Sequence, residues 1–229
     1  MAKKAARGSE REERREDALS RERIVEAAIE LLDADGEEGL TFRALATRLA
    51  TGPGAIYWHI ANKGELLVAA TDAVVARTLG DVRASAKPRE AIHRVALSMF
   101  DAIDARPWVG MQLSRAPWET AMLRIFERIG RAVEALGVRG HAQFTATSTL
   151  LSYVIGVSMQ NTAASQFARR ELAPTTNRKD FLEAAAERWK NLDATEYPFT
   201  RKVAEHLPGH DDRKEFLAGI DLILEGIAV

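Results

Sequence analysis

Tyr57, Trp58 and His59 stand in a row, and Lys63 follows four residues later. Three consecutive large side chains on a helix point in different directions, so they cannot all enter one core. At least one of them faces out beside a lysine, which is the equipment for holding a phosphate backbone. The charges around them agree. From Leu40 to Lys63 there is no Asp or Glu, whereas Arg43, Arg48, His59 and Lys63 are present. Asp33, Asp35, Glu37 and Glu38 lie just before this window, and Glu65 and Asp72 just after it. A carboxylate inside the window would repel a polyanion, so its exclusion is what a phosphate-facing surface requires. The formal net charge of -1 is not that of a strongly basic nucleic-acid binder; the signal lies in the distribution.

Helices are expected to position these residues. Ser20 is a good N-cap, with Leu19 and Ile24 spaced as a hydrophobic staple, and Ile24, Ala28, Leu31 and Leu32 form one apolar stripe. Asp33 to Gly39 reads as a turn, with Gly36 and Gly39 available for left-handed backbone. Thr41 caps a second, short helix whose Leu45, Ala46 and Leu49 face inward. Thr51-Gly52-Pro53-Gly54 breaks it, and Pro53 suits the first turn of the next helix, which carries Ala55 to Ile60. Asn62 and Glu65 form a capping pair for a fourth helix containing Leu66, Leu67, Ala70, Val74 and Val75. Two short helices joined by a Gly-containing turn under a preceding helix are a helix-turn-helix, whose second helix can enter a major groove by its N-terminal end.

Beyond about Asp81 the pattern stays helical, over roughly 88–105, 107–114, 117–137, 140–170, 178–193, 197–206 and 210–227, punctuated by Pro88, Pro107, Pro117, Pro174, Pro198 and Pro208. No alternating strand and no internal repeat is visible. The expected fold is all-α: an N-terminal three-helix helix-turn-helix domain plus a C-terminal helical bundle for ligand binding and dimerisation. The expected partition is a charged tail over 1–18, a DNA-binding domain over 19–64 and the bundle over 65–229. Within the tail Lys3, Lys4 and Arg7 could touch DNA as an arm, although a solvated, inert tail fits its composition better. The 229 residues, 46% hydrophobic, suffice for one or two domains with a core. No apolar run approaches the ~18 residues of a membrane span, and the N-terminus lacks the apolar stretch of a signal peptide. The absence of cysteine excludes disulfides and thiolate metal sites and fits a cytoplasmic protein. No cofactor or metal is expected: the five histidines are scattered, and Pro208-Gly209 separates His206 from His210. No nucleophile elbow, phosphate-binding loop or metal motif supports an enzyme.

Leu40-Thr41-Phe42-Arg43-Ala44-Leu45-Ala46, then Tyr57-Trp58-His59-Ile60-Ala61-Asn62-Lys63 and Leu66-Leu67, resembles the DNA-binding domain of TetR-family transcriptional repressors, in particular that of the tetracycline repressor. The resemblance covers about residues 20 to 80 and is looser beyond. It implies a homodimer joined by the last long helices, about 140–170 and 210–227, reading a palindromic DNA operator. It implies that Arg43 contacts a phosphate or a base near the groove edge, that Thr41, Tyr57 and Lys63 bind phosphate, and that Trp58 and His59 pack at the DNA backbone. The recognition helix departs from the tetracycline repressor. It begins Gly52-Pro53-Gly54-Ala55, with no Gln, Asn or Arg for base edges, and only Ala55 offers a contact to a thymine methyl. Readout is then expected to rest on DNA shape, on Arg43 and on thymine contacts.

The resemblance also implies a small-molecule pocket in the larger domain whose occupant releases the DNA. The candidate lining is Met99, Phe100, Trp108, Met111, Met122, Phe126, Phe144 and Tyr153, with polar His93, Gln143, Gln160 and Asn161. Met and aromatic lining suits a bulky, hydrophobic effector, although each residue taken singly is equally at home in an ordinary core. Tetracycline is not expected, because Leu79 falls where the tetracycline repressor holds a ligand-contacting histidine. The competing readings are a constitutive DNA-binding protein without an effector and a helical-bundle enzyme.

Overall fold

A computed structural model of the chain describes residues 19–82, 87–171 and 177–227, and of 167–171 the backbone alone. The charged tail, with Lys3, Lys4 and Arg7, and the proline at 174 lie outside the described residues. Every regular element among the described residues is a helix: α1 Arg21–Gly39, α2 Phe42–Arg48, α3 Pro53–Tyr57, α4 Lys63–Gly80, α5 Pro88–Ala105, α6 Pro107–Arg115, α7 Thr120–Ala135, α8 His141–Glu171, α9 Arg178–Lys190, α10 Pro198–Val203, a 3-10 turn Ala204–Gly209, and α11 Asp212–Glu225. The expected 197–206 helix is therefore an α-turn that tightens into 3-10 ahead of Pro208, which cannot donate to an α-helical ladder. The chain forms two compact units, residues up to Thr78 with Trp108–Arg124, and Leu79–Pro107 with the residues from Ile125 on.

In the first unit, caps set the helix starts. The Ser20 hydroxyl accepts from the Arg23 amide at 3.2 Å, Thr41 from Ala44 at 3.1 Å, and Asn62 from Glu65 at 2.9 Å. The expected turn at Asp33–Gly39 is instead helix on both sides of one kink, where Gly36 alone takes a left-handed φ of +67°. The α2–α3 turn falls where the Thr51-Gly52-Pro53-Gly54 break puts it. The left-handed residue there is Ala50, at φ +49°, not one of the neighbouring glycines. Gly52 sits at φ −86° as the N-cap of α3, and the Thr51 amide closes the turn on the Ala46 carbonyl at 2.9 Å. Ile24, Ala28, Leu32, Leu40, Leu45, Ile56, Ile60, Leu66 and Ala70 are buried together as the core of this unit.

The unit runs past residue 64 and takes in α6, which buries Val109 and Leu113 and adds polar bonds. Trp108 is buried, and its indole donates to the Asp33 carboxylate at 2.8 Å. Gln112 and Arg115 donate to the Glu37 carboxylate at 3.3 and 2.6 Å. These bonds tie α6 to the last two turns of α1, and Arg124 closes on Asp72 of α4 at 2.8 Å.

In the second unit α5 packs along α8, and α11 rests on both. Met99, Phe100, Ile103, Leu150, Val154, Phe216, Ile220 and Leu224 fill that junction. Phe216 lies between two rings, 4.7 Å from Phe100 and 5.7 Å from Tyr153. Polar groups fix the edge of α11: His93 bonds Asp221 at 2.8 Å, and Arg89 donates to the Leu224 carbonyl at 3.1 Å.

Candidate nucleic-acid interface

The interface is built on α2 and α3. Leu45 and Ala46 anchor α2, and Ile56 and Ile60 anchor the end of α3, all of them buried. Around those anchors lie the residues that sequence proposes for DNA contact. Thr41, Arg43, Gly52, Pro53 and Gly54 are exposed, while Ala55, His59 and Lys63 are half-buried. Tyr57 is 55% exposed and Trp58 90% exposed, which settles which of the consecutive aromatics face out.

The Tyr57 ring stacks flat on Phe42, with centroids 4.3 Å apart and planes 4° from parallel. This stack joins the C-terminal end of α3 to the N-terminal end of α2. It therefore brings Tyr57 next to the neighbours of Phe42, Thr41 and Arg43. Sequence reasoning quoted Phe42 only as part of a motif; the contact joins residues fifteen positions apart on two helices, and no periodicity reports it.

The cations are not equivalent. Arg48 is drawn back to Glu30 at 2.5 Å. The Lys63 ammonium donates to the Glu37 carbonyl at 2.5 Å, and it has two further protons for a phosphate. Among the described residues of the window, Arg43 is the one arginine or lysine with no partner in the protein. An exposed, unpaired guanidinium can hydrogen-bond phosphate oxygens or a base edge.

Behind this face, Glu65 does more than the capping expected of it. Its Oε2 accepts the Ala61 amide at 2.8 Å and its Oε1 accepts Arg21 at 2.7 Å. The amide bond first, then Arg21, hold its carboxyl below the usual carboxylate range. Arg21 also donates to the His59 carbonyl at 2.8 Å.

The twelve candidate ligand residues divide between the two units. Trp108, Met111 and Met122 belong to the first unit, where Trp108 and Met122 are core and Met111 is exposed. In the second unit Met99 and Phe100 are enclosed in packing, and Tyr153 is half-buried with its hydroxyl donating to the Phe216 carbonyl at 3.2 Å. His93 is held by Asp221, and Asn161 donates to Asp104 at 3.3 Å. Phe126 and Gln143 are half-buried, Gln160 is exposed, and Phe144 is 62% exposed, 6.1 Å from Phe126. Among the described residues no group of three His, Cys, Asp or Glu is placed to hold a metal ion, and no helix is long and apolar enough to cross a membrane.

A second surface lies on α8 and α11. His141, Thr145, Ala146 and Thr149 face Leu222, Ile223 and Ile227 across a shallow cavity of about 560 Å³. Leu222 is 70% exposed there. Thr145, Thr149, Ser152 and Gly156 continue as an exposed line of small residues along α8.

Comparison with known proteins places both parts of the chain. Residues 24–70 match the model of bacterial regulatory proteins of the tetR family, and residues 87–229 match a tetracyclin repressor-like C-terminal domain. A solved transcriptional regulator of Streptomyces coelicolor, described as a TetR, is 52% identical, with 92% of this chain and 98% of that chain covered and a TM-score of 0.80. An HTH-type transcriptional repressor of Streptomyces coeruleorubidus is 29% identical over 225 residues, 92% of this chain and 78% of that protein. The S. coelicolor protein ActR, solved in complex with actinorhodin, is 24% identical over 91% of this chain and 95% of its own, with a TM-score of 0.74; at that identity the likeness is one of fold.

Proposed function

The chain belongs to the tetR family of helix-turn-helix DNA-binding transcriptional repressors, which are not enzymes, and from that premise we propose that it binds a palindromic operator as a homodimer and leaves it when a small hydrophobic effector binds. The observation that carries the DNA reading is the face made by Arg43, Tyr57 and Trp58. The stretch that builds it, Leu40–Lys63, contains no Asp or Glu, the Arg43 guanidinium is unpaired, and the Tyr57 phenol is held flat on Phe42. In this reading Arg43 reaches a phosphate or a base at the groove edge. Thr41, Tyr57 and Lys63 bind phosphate, and Trp58 and His59 lie against the sugar-phosphate backbone.

The dimer rests on α8 and α11. A line of small residues lets a partner helix approach closely, and an exposed Leu222 beside a shallow apolar hollow is surface that association removes from water. The effector reading draws support from the match of residues 87–229 to a tetracyclin repressor-like C-terminal domain and from a protein of this fold solved with a small molecule.

The test is selection of duplexes from a randomised library by the full-length protein, followed by affinity measurements on the selected duplex at several salt concentrations. A two-fold symmetric consensus bound with one dimer per site is the expected result. Arg43→Ala is expected to cost about 1–3 kcal/mol on the selected duplex and to relax preference at one position of each half-site. Lys63→Ala is expected to weaken all duplexes alike and flatten the salt slope by about one. Compounds that raise the melting temperature are expected to release the duplex. A library from which nothing is enriched refutes the reading; enrichment that no stabilising compound reverses leaves a constitutive repressor.

A further inference from the structure

We propose that Arg21 and Glu65 act as a positioning strut for the recognition helix, fixing the turn Trp58–Ala61 so that the exposed Trp58 and the half-buried His59 meet DNA in one pose; this rests on the DNA-binding reading above. The recognition helix has only five residues, Pro53–Tyr57. One and a half turns cannot satisfy their own C-terminal carbonyls, so the direction of the following chain is set by whatever bonds those groups find. Two apolar anchors, Ile56 and Ile60, hold the turn from inside. Its outer residue, Trp58, is too exposed to be held by packing.

The polar bonds come from two other helices. One nitrogen of Arg21, at the start of α1, bridges the His59 carbonyl at 2.8 Å and Glu65 Oε1 at 2.7 Å. The other oxygen of Glu65, in the first turn of α4, accepts the Ala61 amide at 2.8 Å. The backbone on either side of Ile60 is thus gripped by one ion pair, through a carbonyl on one side and an amide on the other. Glu65 is in turn seated by its own amide, which donates to Asn62 at 2.9 Å.

The energetics separate this role from a merely structural one. The two side chains are 45% and 36% exposed, and a pair so exposed contributes little to global stability. It does decide where the turn sits. Losing it should therefore change DNA selectivity more than melting temperature. It should not change the number of phosphates neutralised, because Arg21 spends its charge inside the protein.

The experiment compares wild type, Arg21→Ala, Glu65→Gln and Arg21→Ala/Glu65→Ala, each as the full chain, on the duplex selected by the wild type and on random duplex. Arg21→Ala is expected to lose about tenfold on the selected duplex, the worth of a charge-assisted hydrogen bond. Little change is expected on random duplex, with an unaltered salt slope and a near-wild-type melting temperature. The double variant is expected to lose more than Arg21→Ala, because it also removes the acceptor of the Ala61 amide and so frees the turn on both sides of Ile60. Glu65→Gln keeps an acceptor for Ala61 but drops the ion pair, and it is expected to fall between wild type and Arg21→Ala; it decides the question if Arg21→Ala does not fold. Equal losses on both duplexes with the slope reduced by about one would make Arg21 a phosphate ligand and overturn the strut. Unchanged affinity in Arg21→Ala overturns it too, while leaving the DNA reading intact. A wild type that enriches no duplex overturns both.

Discussion

Gly219 of α11 faces Tyr153 of α8 so closely that a methyl group there has nowhere to go. A Cβ built on Gly219 would lie 1.8 Å from the Tyr153 hydroxyl, 2.4 Å from Cζ and 3.0 Å from Cε2. The ring cannot simply swing away. It stacks on Phe216, 5.7 Å off, and its hydroxyl donates to the Phe216 carbonyl at 3.2 Å. Gly219→Ala must therefore displace the ring or lift α11. Overpacking of this kind costs about 1–3 kcal/mol, and the lost hydrogen bond adds about 1 kcal/mol. Alanine returns about 1 kcal/mol by its better helix propensity. The expected net loss is about 2 kcal/mol, read as a lower urea midpoint at unchanged slope and fixed protein concentration. The same substitution made on Tyr153→Ala should reverse sign, because the obstacle is gone and only the propensity gain of about 1 kcal/mol remains. A neutral or stabilising Gly219→Ala in the wild-type background would mean that the ring yields without cost, and a loss that persists in the Tyr153→Ala background would mean that Tyr153 is not the obstacle.

Ala50→Gly should stabilise the first unit by roughly 1 kcal/mol, since a left-handed alanine pays a steric cost that glycine does not; thermal melting checks it. Phe42→Ala should weaken binding to the selected duplex by more than it weakens the fold, because it removes the platform that holds the Tyr57 ring; affinity and melting temperature measured on one preparation separate the two. Glu65 titrates below its ordinary value, so its stabilising contribution is present above that value and fades as pH falls through the lower folded one. Glu65→Gln removes a group whose contribution acid abolishes, so the stability gap between wild type and variant should close on acidification and stay constant from mildly acidic to neutral pH.

Caps and breakers were the most legible features. Ser20, Thr41 and Asn62 begin helices in the structure through the bonds that their side chains can make, and Pro53, Pro88, Pro107 and Pro198 stand where a missing amide does no harm. These are local effects, written within four residues of where they act. The kink at Gly36 and the left-handed Ala50 were harder to anticipate. The first looked like a turn because a glycine that bends a helix and one that ends it have the same neighbours. The second contradicts residue preference, because the Thr51–Ala46 bond and the seating of α3 outweigh the small cost of one strained alanine. Contacts between helices were not legible. Nothing local links Arg21 to Glu65, Phe42 to Tyr57, or Trp108 to Asp33. The last of these draws residues after 107 into the same compact unit as the helix-turn-helix. Met and aromatic residues mark any apolar interior, and the alphabet does not separate a packed junction such as Phe100–Phe216 from a cavity.

The glycines that open the recognition helix are not needed by the fold. Gly52 and Gly54 lie outside the left-handed region, and a Cβ built on either would meet nothing within 4 Å. Neither a turn nor a neighbour forbids alanine there, and glycine within a helix costs stability. The open space they face is the space into which an N-terminal end docked in a major groove must fit, and a bare backbone can approach DNA more closely than one carrying side chains. Gly54→Ala should therefore move two quantities in opposite directions. It should raise the stability of the free protein by up to about 1 kcal/mol, and it should lower affinity for the selected duplex while leaving random duplex nearly unaffected, since loose binding does not require that depth. Equal or improved affinity for the selected duplex would mean that the helix docks at a distance. The selectivity would then have to come from Arg43 and from the shape of the DNA, with the Gly-Pro-Gly end as a bystander.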